Sequence, residues 1–153
     1  MNTLITQIEQ LPAQLDALVG GLSVEALKTA VSPTDWTIAQ VVHHLADSHS
    51  WGLHRCKKVL TQEAPIISSY DQDSFAQLPD GPNHDIQPSL QIINGIHARW
   101  AVLLESLSAA DWERPEVHEE YGPWQLRDLV GNYARHGQNH LQQIEQILTA
   151  HNK

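Results

Sequence analysis

The sequence predicts an all-α protein: a single four-helix-bundle domain over residues 1–153, with one long crossover connection between helices two and three. Three observations carry this. Four stretches place apolar residues at helical spacing. No run of alternating apolar and polar residues competes with them. The link between the second and third stretches is far longer than a simple bundle turn. A chain of 153 residues suits one domain and can bury a core without staples.

The first helix is expected from about Thr3 to Val19, with Leu4, Ile8, Leu11, Leu15 and Leu18 inward, and Gly20-Gly21 ends it. The stretch "SVEALKTA" adds one or two turns. The second helix begins after Trp36. There Thr37 and Gln40 have the Thr-x-x-Gln spacing of a capping box, in which each side chain bonds the other residue's backbone N–H. It runs to about Leu60, with Ile38, Val42, Leu45 and Val59 apolar. The third, from about Ser89 to Leu107, carries the stripe Leu90, Ile93, His97, Trp100, Leu104 and Leu107. The fourth runs from about Trp124 to His151. Its stripe is Leu126, Val130, Tyr133, Gly137, His140, Ile144 and Ile147, spaced alternately four and three, which suits the shallow crossing angle of a bundle. The connection from Thr61 to Pro88 holds Pro65, Pro79, Pro82 and Pro88 and the turn cluster "PDGPN". A link of that length serves as a lid or a crossover, and a crossover lets helices two and three run parallel. The link "SAADWERPEVHEEYGP" before the fourth helix is also long.

Composition narrows the function. Nine basic residues against eighteen acidic ones give a formal charge of −9. That excludes the positive field that nucleic-acid binding or docking on an anionic membrane requires. Cys56 is the single cysteine, so no internal disulfide forms and a reducing, cytoplasmic setting is expected. The start, "MNTLITQIEQLPAQ", has neither the basic region nor the apolar run of a signal peptide. No stretch approaches the ~18 apolar residues of a membrane span. Ten histidines against one phenylalanine and one methionine predict an interior built partly of imidazole.

The histidines are patterned. In "YARHGQNHLQQI", His136 and His140 are four apart and share a helix face, where two imidazoles can hold one divalent ion. His140 lies on the apolar stripe and His136 beside it. Gly137, which costs a helix about 1 kcal/mol relative to alanine, predicts a neighbour approaching closely there. An HxxxH pair alone is a weak signal. The candidate third ligand lies in "WTIAQVVHHLADSHSW". Four residues after His43 comes Asp47, and four after His44 comes Ser48, so this helix supplies one imidazole. His44 shares a face with Val41, Ser48, Trp51 and Arg55, while His43 points about a hundred degrees away. His44 lies roughly 10 Å along the axis from the start of its helix, and His140 roughly 16 Å from the end of its own. Antiparallel helices would let the two converge.

Together "WTIAQVVHHLADSHS", "HARW" and "YARHGQNHLQQI" resemble the DinB-like superfamily of metal-binding four-helix bundles. The closest branch is the YfiT type, which holds bacillithiol transferases and proteins labelled metal-dependent hydrolases. The resemblance extends through "LTQEAPIISSYDQDSFAQL" and covers most of the chain after about residue 30. It implies a divalent ion, zinc or nickel, held by His44, His136 and His140, and a homodimer. This chain departs from the pattern at Arg135, Asn139 and Gln143, which changes the rim of the site and leaves all three ligands in place.

Three neutral imidazoles leave coordination positions open, as catalytic sites do. Position 137 is glycine, so the glutamate of HExxH peptidases is missing. A metal-dependent S-transferase joining a small-molecule thiol to an electrophile is the leading expectation. A hydrolase is its close rival, and a non-catalytic stress protein that binds metal or a small ligand is the reading from another class. Asp47, one turn from His44, is a candidate to orient an imidazole, weighed evenly against a solvated face. Arg55 is a candidate for holding an anionic substrate group, weighed against an ion pair near the helix end. Tyr70 is a candidate lid over the site, weighed against an anchor for its own loop. His97 reads as a hydrogen-bonded core residue, Cys56 as buried structure, and Trp36, Trp100 and Trp124 as packing.

Overall fold

The computed structural model describes residues 1–32 and 34–151. In chain order the elements are α1 (Asn2–Val19), α2 (Val24–Leu27), α3 (Ile38–Thr61), β1 (Ile66–Ile67), α4 (Gln72–Ala76), α5 (Gln87–Glu105), α6 (Ala109–Trp112), β2 (Pro115–His118), β3 (Gly122–Gln125) and α7 (Leu126–His151). The four long helices are the predicted bundle. The capping box that starts α3 is formed: Gln40 N donates to Thr37 Oγ1 at 3.3 Å, and Thr37 N donates to Gln40 Oε1 at 3.0 Å. Two backbone donors that the helix leaves orphaned are thereby satisfied.

Each long helix packs on two others: α1 on α5 and α7, and α3 on α5 and α7. Side-chain pairs fix the directions. His43 meets Ser89 and His49 meets His97, so α3 and α5 run parallel. His44 meets His136 and Arg55 meets Tyr133, so α3 and α7 run antiparallel. Gly131 faces Leu4 and Gly137 faces Leu11, so α1 and α7 run parallel. The order is up, down, down, up. The connection between α3 and α5 is therefore a true crossover, as the long proline-rich link requires.

Side chains of α3 tie that crossover down. Gln40 Nε2 donates to the Ala76 carbonyl at 2.9 Å. His43 Nε2 donates to the Asn83 carbonyl at 2.8 Å, which leaves His43 Nδ1 to accept from Ser89 Oγ at 2.7 Å. Arg55 Nη2 donates to the Ser68 carbonyl.

A small sheet, absent from the sequence-based expectation, closes one end of the bundle. β1 pairs parallel with β2 (Ile66↔Val117, Ile67↔His118), and β2 pairs antiparallel with β3 (Glu116↔Trp124, His118↔Gly122). The alternation of β2 is inverted: Glu116 and His118 are buried while Pro115 and Val117 are exposed. A search for apolar residues facing inward passes over such a strand. The hairpin also takes up Trp124, so the last helix begins at Leu126 rather than at Trp124.

The core has two apolar halves. One gathers Leu11, Leu15, Ile38, Val42, Leu45, Ile93, Ile144 and Ile147. The other gathers Ile8, Leu53, Val59, Trp100, Leu104, Leu126 and Leu129. Between them along α3, α5 and α7 lie His44, His49, His97, His136 and His140. The interior is partly imidazole, in a layer across the bundle. No helix among the described residues is long and apolar enough to cross a membrane.

Candidate metal centre

Burial of one face each of α3 and α7, in antiparallel contact, brings three imidazoles together. One ring nitrogen from each of His44, His136 and His140 lies within 4.8 Å of the others. His44 Nε2 is 3.0 Å from His136 Nε2, and His140 Nε2 is 3.1 Å from the same atom. Metal–nitrogen bonds of about 2.0–2.1 Å put two ligand nitrogens of one coordination sphere about 3.0–3.4 Å apart. The spacing fits a single ion touched by all three.

The far side of each ring decides whether these Nε2 atoms carry lone pairs or protons. His140 Nδ1 donates to Gln143 Oε1 at 2.8 Å, leaving Nε2 bare. His136 Nδ1 stands 3.2 Å from Nε2 of His49. His49 Nδ1 stands 2.9 Å from Nε2 of His97, and His97 Nδ1 reaches the Ile8 carbonyl at 2.5 Å. His44 Nδ1 faces Tyr70 Oη at 3.4 Å. His140 Nε2, bare, faces His136 Nε2 at 3.1 Å, and wherever His136 is bare there too the approach sets two lone pairs together. A cation between them turns that repulsion into attraction. Burial holds the rings neutral: it lowers His44 to about 3, helped by His140, and lowers His136 to about 3, helped by His140 and His44. His140 is also lowered, by burial, with the Gln143 bond opposing. Neutral imidazole is the form that binds a cation.

A sequence profile described as the DinB superfamily matches residues 7–144. This chain belongs to the DinB superfamily. A protein of Oceanobacillus iheyensis, provisionally named a metal-dependent hydrolase, is 41% identical over 147 residues, covering 96% of this chain and 85% of that protein. One of Geobacillus thermodenitrificans with the same provisional name is 41% identical over 143 residues, covering 92% of this chain and 79% of that one. Among solved structures, YfiT from Bacillus subtilis, provisionally described as a metal-dependent hydrolase with an unusual four-helix bundle topology, superposes with a TM-score of 0.90 at 33% identity, covering 95% of this chain and 84% of that one.

In this DinB-superfamily bundle the other predicted residues fall unevenly. Tyr70 reaches over the centre from the crossover, stacked on Trp51 with ring centroids 6.0 Å apart. Burial raises its phenol above the usual value, and a Ser48 hydrogen bond partly offsets this. Arg55 is buried and, among the described residues, makes no ion pair at its helix end. Its Nη1 donates to Tyr133 Oη at 2.8 Å, one turn before His136, and Nη2 holds the Ser68 carbonyl. Asp47 is exposed, and among the described residues it has no hydrogen bond to any imidazole of the centre. It lines a cavity of about 210 Å³ with His43, His44 and Gln72; partial burial and the nearby Asp80 raise its carboxyl above the usual value, and His43 opposes them. Trp36 is more than packing: its ring is 4.8 Å from His44 and stacks on His140 at 6.4 Å, walling one side of the centre. Cys56 is buried, and burial pushes its thiol up to about 12, as a structural cysteine requires.

A second cleft, about 330 Å³, opens on the His136 side and is lined by Arg55, Tyr70, Gln72, His118, Tyr121 and Tyr133. Gln72 lines both cavities. Sequence reasoning missed His118 and Tyr121, which the hairpin delivers, and it missed His49. The signal for His49 was His97: a histidine in a core stripe needs partners for both nitrogens.

Proposed function

We propose that this chain is a metal-dependent enzyme that transfers a low-molecular-weight thiol to an electrophile. The observation that carries the metal centre is the convergence of three neutral, outward-tethered imidazoles on one point beside two clefts. A divalent ion held there, zinc or nickel, keeps open positions and supplies Lewis acidity to a nucleophile entering from the clefts. His44, His136 and His140 hold it, Tyr70 and Gln143 fix two of the rings, and Trp36 keeps solvent from one side.

Two nucleophiles suit such an ion. Among the described residues the cluster contains no carboxylate, and Tyr70 has its proton held more tightly than an ordinary phenol. No base in the cluster is needed for either nucleophile: the ion would bring bound water from about 15.7 to about 7, and would bind a thiol, ordinarily near 8.5, as its thiolate. In the transfer the thiol proton passes to solvent, the sulfur–carbon bond forms, and the electrophile's leaving group departs with its bonding pair. The second reading is hydrolysis, supported by the names of the relatives above.

Elemental analysis of the purified protein, with His44→Ala and His140→Ala, tests the centre. Stoichiometric zinc or nickel in the parent, lost from both helical variants, is expected. Thiol consumption with a model electrophile, run beside ester and amide hydrolysis with and without metal, tests the reaction. Metal-dependent ester cleavage without thiol consumption would select the hydrolase. Bound metal with no turnover of either kind would select a non-catalytic binder.

A further inference from the structure

Pro12 sits inside α1, buried, one turn after Ile8. In an α-helix the N–H of residue 12 would bond the carbonyl of residue 8. Proline has no N–H, and its ring pushes that carbonyl aside. The Ile8 carbonyl is thereby left without its helical donor in the middle of the core. His97 Nδ1 fills the vacancy at 2.5 Å.

A carbonyl can only accept, so this bond sets the direction of everything beyond it. His97 must carry its proton on Nδ1, and as a neutral ring it then has a bare Nε2. That atom is 2.9 Å from His49 Nδ1, which must donate to it. His49 Nε2 is then bare, and it lies 3.2 Å from His136 Nδ1. His136 in turn must donate, and its Nε2, among the converging nitrogens, is left as a lone pair. His49 and His97 are both 0% exposed, so no solvent competes for these positions.

We infer that His49 and His97 are positioning residues for the metal centre: a one-way run of hydrogen bonds from the Ile8 carbonyl through His97 and His49 locks His136 as the Nδ1–H tautomer and aims its Nε2 at the cation. This deepens the metal-centre reading and rests on it. The run spans α1, α5, α3 and α7, so packing of all four helices is transmitted to one ligand. Outer partners of ligand imidazoles typically carry 10–100-fold of metal affinity. Here one partner, His97, acts without touching a ligand.

The direct test is ¹⁵N-edited NMR of the histidine rings in the wild-type protein, metal-free and zinc-loaded. His97 and His49 are expected as Nδ1–H tautomers in both states, and His136 as Nδ1–H in the zinc form. An Nε2–H tautomer at His97 or His49 overturns the inference, because the run would then be broken or reversed. If zinc fails to bind at all, the metal-centre reading falls, while the metal-free tautomers still decide the direction of the run. Affinity is read by chelator competition. His97→Phe, which keeps a planar ring and removes both the donor to Ile8 and the acceptor for His49, is expected to weaken zinc binding at least tenfold. His49→Leu should weaken it 10–100-fold. His49→Gln, whose amide can accept from His136 and donate to His97, should stay within about threefold of the parent. Equal losses for Leu and Gln at position 49 would assign it to packing and overturn the positioning role.

Discussion

Gly52 stands edge-on to Trp100: a Cβ at position 52 would lie 2.5 Å from the indole Cη2 and 2.9 Å from Tyr133 Cε1. Both neighbours are rings wedged in the second core half and cannot step aside. Gly52→Ala is therefore expected to destabilise the protein by about 1–3 kcal/mol, the usual cost of overpacking, despite alanine's better helix propensity. Gly137 offers the contrast. Its Cβ would meet Leu11 Cδ2 at 2.8 Å and Cδ1 at 3.0 Å, the flexible end of a side chain that can turn away. Gly137→Ala should fall within about 1 kcal/mol of the parent. Urea denaturation of both variants checks the pair, and a Gly52→Ala protein as stable as its parent would refute the packing argument.

Acid should unfold the metal-free protein early. His44 and His136 fall from an ordinary 6.5 to about 3, chiefly through burial. Between those values the unfolded chain takes up protons that the folded chain refuses. The stability is fully present above about pH 6.5 and is lost as pH falls towards 3. At pH 5 the loss is about 2 kcal/mol for each of these two imidazoles. Urea midpoints at pH 7.5 and pH 5 measure it, and His44→Leu should reduce the difference by about half of this two-residue loss. A stability independent of pH across this range would contradict neutral buried rings.

The histidine layer explains how much of this was legible in the sequence. Thr37 and Gln40 announced the start of α3 because a capping box is local chemistry, complete within four residues. Gly137 announced a close neighbour because its propensity cost needs an offsetting contact, and Leu11 supplies it. The convergence of His44 with His136 and His140 was implied by the family resemblance and allowed by antiparallel helices, a direction that periodicity alone left open. His49 went unplaced for a different reason: His97 in a core stripe called for a partner without saying which. Periodicity gives the angle of a residue around its own helix but not which helix stands at that angle. Only with α5 parallel to α3 does His49 lie between His97 and His136. The β2–β3 hairpin escaped because its inward residues, Glu116 and His118, are polar. Pro12 was read past because the apolar spacing of α1 continues straight through it.

Glu116 carries a pH dependence of the opposite sign. It is 1% exposed, and neither carboxylate oxygen has a hydrogen-bond partner among the described residues. Burial raises it from 4.5 to about 7, opposed by Arg55 and reinforced by Asp128. The folded protein keeps a proton that the unfolded chain has released, so this residue's contribution falls as pH rises from 4.5 through 7. Glu116→Gln imitates the protonated acid at every pH. It should stabilise the protein by about 3 kcal/mol at pH 8 and change little at pH 4.5. Paired denaturation curves at the two values test this, and a Gln variant less stable at pH 8 would mean that the carboxylate is satisfied in the folded state.

Pro12→Ala separates helix strength from metal binding. Alanine restores the donor at position 12, and the backbone bond to Ile8 can close. Removing an interior proline relieves about 3 kcal/mol of helix penalty, offset in part by the buried ring volume lost. The melting temperature should therefore hold or rise. The Ile8 carbonyl must then divide itself between the backbone N–H and His97 Nδ1–H, and it loses the displacement the proline ring imposed. The His97 bond lengthens, and its Nδ1–H proton resonance should move upfield from the position a 2.5 Å contact gives. Zinc affinity should drop several-fold, less than for His97→Phe because a second lone pair on the carbonyl remains available. A variant that melts higher and binds more weakly would show that α1 gives up helical stability to orient a ligand on α7. One that melts lower and binds zinc as the parent does would reduce Pro12 to a packing residue.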